Sequence, residues 1–232
     1  KRKQFMEDEN IHILLYYKFQ PIEDVDWFVR NHKRFCKELG VMGKVLVAIE
    51  GINGSVSGSK EQVGRYKKFL WSLEGFEDVV FKEEIGTSHP FTKMVVRVKK
   101  EIVSLNKEVD INKRGKYVSP EKFLKLYEDK EENGDVIILD ARNDYEYKLG
   151  RFKNAVNPDI KTFRQFPEFV DKFGDESIKK KKIVMYCTGG IRCEKASAYM
   201  KEQGFENVYQ LNGGIINFCQ QFPDTVWEGK CF

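Results

Sequence analysis

The 232 residues are enough for one large or two ordinary domains, and 41% hydrophobic against 33% charged residues excludes a disordered chain. The net charge of +4 permits a polyanionic partner without demanding one. The longest apolar runs, residues 45–49 and 136–139, fall far short of the roughly 20 residues of a membrane span, so no membrane partner is expected.

Cys36, Cys187, Cys193, Cys219 and Cys231 are odd in number and lack framework spacing, which points to a reducing, cytoplasmic compartment. Lys1-Arg2-Lys3 runs into acidic and polar residues, so no signal peptide is expected, and the missing initiator Met suggests a trimmed chain.

In chain order, residues 11–19 alternate and are aromatic enough for a strand. Residues 23–39 form a predicted amphipathic helix, with Val25, Phe28, Val29, His32, Phe35, Cys36 and Leu39 at helical spacing and Gly40 as its stop. His32 and Cys36 stand four apart, a spacing that suits two metal ligands on one face. No other Cys or His lies near them, so they read as core and no metal site is expected. A strand over 45–49 leads into a glycine-rich run, 50–58, which lacks the Lys-Ser/Thr ending of a phosphate loop and reads as a tight hairpin. A helix over 59–73 with Ser59 as cap follows, then strands over 79–84 and 93–99. The loop between them holds one histidine, His89, read as structural.

The order β-α-β-β-α-β predicts a ferredoxin-like (acylphosphatase-like) α+β domain over residues 1–105, with helices on one face. Its open face, with Lys93, Arg97, Lys99 and Lys100 beside aromatic residues, permits RNA binding.

Residues 106–118, polar over most of their length, are read as a linker. Ser119-Pro120-Glu121 then starts a helix with Phe123, Leu124 and Tyr127 on its apolar face. A buried strand over 136–139 ends in Asp140-Ala141-Arg142, and a short helix is expected over 145–149. Alternating short strands and helices make residues 119–232 an α/β domain with a parallel sheet.

The most informative stretch is 179–198. Four lysines run into a buried strand, 183–186, followed by Cys187, Thr188, Gly189, Gly190, Ile191 and Arg192, and from Cys193 the pattern is helical. A cysteine at a strand's C-terminal end, in a glycine-bearing turn that opens a helix, faces inward N–H groups and the positive end of the helix dipole. Its thiol is expected to ionise below the ordinary ~8.5. Arg192 adds a fixed charge. Cys193 is placed either to resolve an oxidised Cys187 as a disulfide or to pack on the first helical turn. Asp140 and Arg142, at the neighbouring strand end, read as a buried supporting pair.

The loop from Cys187 to Arg192 resembles the rhodanese active-site loop, which carries a cysteine persulfide. Its C-x4-R length matches sulfurtransferases, whereas related phosphatases use the wider C-x5-R ring that holds a tetrahedral phosphate. Asp140-x-Arg142 with Glu146 and Gly150, and Leu211-Asn212-Gly213-Gly214-Ile215, resemble two further rhodanese signatures.

Across nearly the whole chain, Glu50-Gly51-Ile52-Asn53-Gly54, His89-Pro90-Phe91, Asp140-Ala141-Arg142-Asn143 and the phrase from Cys187 to Glu194 are similar to the rhodanese-domain tRNA uridine hydroxylases. The resemblance implies oxygen-dependent 5-hydroxylation of wobble uridine with Cys187 required, tRNA as partner and molecular oxygen as cosubstrate. No cofactor fingerprint is evident, and family members continue into a cysteine-bearing tail that this chain is expected to lack. A persulfide sulfurtransferase, which needs a sulfur donor, and a non-catalytic RNA-binding module stand as alternatives.

Overall fold

The computed structural model describes residues 10–230, apart from the side chains of residues 130–133. Lys1-Arg2-Lys3 and Cys231 lie outside the described residues. The chain divides into two units, Lys1–Ile102 and Val103–Phe232.

The first unit runs β1 (Ile11–Phe19), α1 (Val25–Leu39), β2 (Met42–Ala48), β3 (Gly51–Gly58), α2 (Lys60–Trp71), β4 (Lys82–Gly86) and β5 (Met94–Val98). Its sheet has the order β4-β1-β3-β2-β5. The four strands β4, β1, β3 and β2 pair antiparallel in turn, and β5 joins β2 in parallel at the other edge. The expected ferredoxin-like arrangement is therefore present with one strand added. The run over 50–58 is more than a hairpin turn: β3 is a full central strand paired on both sides.

Both helices contribute to one core. Phe28, His32, Cys36 and Leu39 of α1, and Val63, Tyr66 and Leu70 of α2, are buried with Leu14 and Tyr16 of β1. These helical residues recur at three- and four-residue steps, so each helix buries one stripe. Asp24 caps α1 by accepting from Trp27 N at 2.8 Å, and Ser59 with Gln62 forms a capping box on α2. His32 belongs to this core: its Nε2 lies 2.7 Å from Tyr66 Oη, which in turn bonds Tyr16 Oη. His89 Nδ1 lies 2.9 Å from Ser57 Oγ on β3, which ties that loop to the sheet.

The second unit contains β6 (Lys116–Val118), α3 (Pro120–Asn133), β7 (Val136–Asp140), α4 (Asp144–Leu149), β8 (Gly150–Phe152), α5 (Phe166–Phe173), α6 (Glu176–Lys180), β9 (Lys182–Tyr186), α7 (Ile191–Glu202), β10 (Asn207–Leu211), α8 (Gly214–Gln221) and β11 (Trp227–Gly229). Its four-stranded sheet, order β6-β10-β9-β7, is entirely parallel. Strand alternation sorts the core into two layers. Ile183 and Met185 of β9 pack with α5 and α7, while Val184 and Tyr186 pack with α3 and α8. Burial on both faces explains why β9 reads as a continuous apolar run. The strands β8 and β11 pair separately, antiparallel.

The predicted linker, 106–118, is corrected. The division falls between residues 102 and 103, and Lys116–Val118 is an edge strand on β10. The preceding 3-10 turn, Ile111–Lys113, leads to Gly115, whose N–H donates to Ser197 Oγ of α7 at 2.8 Å. Arg114 pairs with the buried Glu194, which also accepts from Tyr117 Oη at 2.6 Å. The segment is polar because its partners are polar side chains of α7, not because it is loose. No helix among the described residues is long and apolar enough to cross a membrane.

Candidate active site

The site sits at the C-terminal end of β9, where open α/β sheets place their ligands. Cys187 follows β9 directly, Thr188, Gly189 and Gly190 make the turn, and Ile191 opens α7. Gly190 adopts φ 105, a left-handed conformation at the helix N-cap that a side chain resists. This turn folds the backbone N–H groups inward. The Gly190 N–H donates to Cys187 Sγ at 3.1 Å, and those of Arg192 and Cys193 donate to the same sulfur.

The loop carbonyls point the other way. Cys187 O accepts from Ile215 N at 3.0 Å, and Thr188 O from Ile216 N at 3.2 Å. The first turn of α8 thus satisfies what the sulfur cradle leaves over. A Cβ on Gly214, itself at φ +66, would meet Cys187 O at 2.4 Å, so only glycine lets α8 approach this closely.

Cys187 is fully buried. Burial alone would raise its pKa, but a hydrogen bond from the Cys193 thiol, the Arg192 charge and the two backbone donors outweigh it and bring the thiol down to about 5. At neutral pH it is a thiolate. Burial, reinforced by the hydrogen bond to Cys187 and by its charge, pushes Cys193 well above the usual thiol range, so Cys193 keeps its proton. The two neighbouring cysteines therefore divide the roles of anion and donor.

Arg192 is held by a fork. Its Nη1 and Nη2 lie 2.6 and 2.8 Å from Glu146 Oε2 and Oε1, and Nη2 lies 3.3 Å from Thr188 Oγ1. Burial would raise the Glu146 carboxyl; the Arg192 bonds hold it below the usual carboxylate range instead. Glu146 is the residue whose role the sequence reading left unassigned. The signal was present as the acid two residues into the short helix α4, where it also accepts from Asn143 N at 3.2 Å.

Asp140 and Arg142 are together and fully buried. Arg142 Nε and Nη2 reach Asp140 at 2.9 and 2.6 Å, and Nη2 also donates to Gly150 O at 2.6 Å. Its guanidinium lies 5.5 Å from the Tyr186 ring and 5.3 Å from that of Trp227. This pair braces the strand ends beneath the loop and the small β8–β11 sheet. Among the described residues, no three His, Cys, Asp or Glu side chains group as a metal set.

A doubly covered parallel sheet with a six-residue thiolate cradle at a strand end defines a rhodanese-type cysteine domain. Residues 119–221 match the Rhodanese-like domain, and residues 11–102 match the UPF0176 acylphosphatase like domain. The chain is 47% identical to a tRNA uridine(34) hydroxylase of Bacillus licheniformis, with 95% of this chain and 68% of that protein covered. It is 47% identical to one from Staphylococcus epidermidis (95% and 69% covered) and 45% to one from Legionella pneumophila (97% and 88% covered). The chain belongs to the tRNA uridine(34) hydroxylase family.

Proposed function

We propose that this protein hydroxylates the wobble uridine of tRNA at C5, with the Cys187 sulfur as the reactive group. The observation that carries the reading is the cradle itself: a buried thiolate facing three backbone N–H groups, inside a chain whose relatives over most of its length bear that activity in their name. In this reading, one atom of dioxygen replaces the C5 hydrogen as hydroxyl. The other leaves as water, taking two electrons and two protons from a pair of thiols of an external thiol reductant, which join as a disulfide. Cys187 acts as nucleophile or persulfide carrier, and the N–H groups of Gly190, Arg192 and Cys193 stabilise the terminal anion. Arg192 and Glu146 hold the loop in shape. The tRNA substrate puts the work in the cytoplasm, and a persulfide state brings in a sulfur donor as a second partner.

The test is mass analysis of tRNA nucleosides from cells lacking the gene and any parallel route, complemented with wild type or Cys187→Ser. Wobble 5-hydroxyuridine derivatives are expected to vanish and to return only with the wild type. Unchanged nucleosides would overturn the hydroxylase reading. Rapid thiosulfate-dependent turnover would then favour the sulfurtransferase that the six-residue loop also fits.

A further inference from the structure

The first unit has a cavity of its own, of about 220 Å³, between α1 and the C-terminal end of α2. Trp27, Phe28 and Phe35 from α1, with Phe69 and Leu73 from the α2 side, form an aromatic and apolar wall, and Asn31, His32, Arg34 and Glu38 complete the lining. Phe35 and Phe69 stack with centroids 3.9 Å apart and planes 14° apart, and Trp27 stands at the rim, half exposed. The cavity is smaller than the ~300–1,000 Å³ of sites for drug-sized ligands, and so suits a single ring system.

One buried polar group lines it. His32 is 1% exposed and spends Nε2 on Tyr66, while its Nδ1 is buried and has no hydrogen-bond partner. A buried polar atom without a partner is uncommon. Burial drives the imidazole pKa down to about 3, so His32 is neutral at physiological pH.

The surroundings carry the complementary charge. Arg34 lines the cavity, Arg30 stands one turn before it, and Arg65 stands one turn before Phe69. Lys67 is spent on Glu83 of β4; with Lys33, Lys37, Lys60 and Lys68, the two helices keep seven other basic residues against Asp26, Glu38 and Glu61. Basic side chains around an aromatic recess are the means by which proteins hold an unpaired base, its ring stacked and its backbone neutralised nearby.

We infer that the α1–α2 cavity binds one unpaired nucleobase of the tRNA, stacked on its aromatic wall with its flanking phosphates held by the basic residues around it. The inference rests on the proposed tRNA substrate and adds a second RNA contact, on the helical face of the first unit. Trp27 and Phe69 supply stacking, and Arg30, Arg34 and Arg65 neutralise flanking phosphates.

The experiment measures tRNA affinity of the full chain over a salt series, for wild type, Trp27→Ala and the double variant Arg30→Gln/Arg34→Gln. It is paired with photocrosslinking of tRNA containing 4-thiouridine. Because Trp27 is half exposed, its removal leaves the core intact. Trp27→Ala is expected to weaken binding on the order of tenfold at every salt concentration, with the salt slope unchanged. The double variant is expected to lower that slope by about 2. Crosslinks are expected in residues 25–39 or 60–73. Wild-type affinity in Trp27→Ala, a reduced slope in that variant, or crosslinks confined to other segments would overturn the inference. If the wild type itself fails to bind tRNA, the proposed function falls; if it binds and modifies tRNA while Trp27→Ala matches it, only the cavity falls.

Discussion

Cys187 shows how an active-site charge can be assembled from several neighbours. The Cys193 thiol, the Arg192 charge and the backbone N–H groups of Cys193 and Arg192 together favour the thiolate strongly enough to overcome full burial. Alkylation rates measured against pH should therefore show a midpoint near pH 5 for Cys187, and Cys193→Ala should move it towards the ordinary thiol range. A midpoint left in place by Cys193→Ala would deny Cys193 its part as donor. The same shift makes a stability prediction. With the folded pKa depressed below the unfolded value near 9, the thiolate's contribution is complete above that value and declines as pH falls. It is gone below about pH 5. Cys187→Ser should flatten this part of a stability-against-pH profile. The acidity was legible in the sequence because strand, glycine turn and helix follow one another directly. The part played by Glu146 was not, since a counter-ion 46 residues away is set by the packing of α4 against the loop.

At the scale of elements, the loop depends on α8 as much as on β9 and α7. Ile215 and Ile216 donate to the carbonyls of Cys187 and Thr188, and Gly214 permits the approach. Gly214→Ala should cost at least about 1–3 kcal/mol, because both a left-handed backbone and a 2.4 Å contact oppose the methyl group. Circular-dichroism melting would read that loss, and the alkylation rate of Cys187 should fall with it; a variant as stable and as reactive as wild type would deny α8 this role. Most elements were legible from periodicity. The exceptions have physical causes. The run over 50–58 looked like a turn because its glycines carry no pattern, yet β1 and β2 pair with it on both sides. Lys116–Val118 is too short to show a period, and only β10 makes it a strand.

At the scale of the molecule, each unit has its own core, and the boundary follows the hydrogen bonds, not the composition. A fragment beginning at residue 103 should keep the folded second unit and its acidic cysteine. One beginning at residue 119 loses β6, the Gly115 bond to Ser197 and the Arg114 and Tyr117 partners of Glu194. It should be less stable by several kcal/mol, since each buried polar group left unmet costs about 1–3 kcal/mol. Equal denaturant midpoints for the two fragments would show that the segment is a linker after all.

Full burial of Cys187 has one further consequence, for reach. A bound sulfur atom lengthens the side chain by roughly 2 Å, the length of an S–S bond. In the persulfide state proposed above, the loop would work like a tool holder: the socket stays fixed, and the loaded atom extends to the work. Rigidity around the anion and contact with a bulky RNA base would then cease to be competing demands, because chemical loading would supply the travel that a moving backbone otherwise provides.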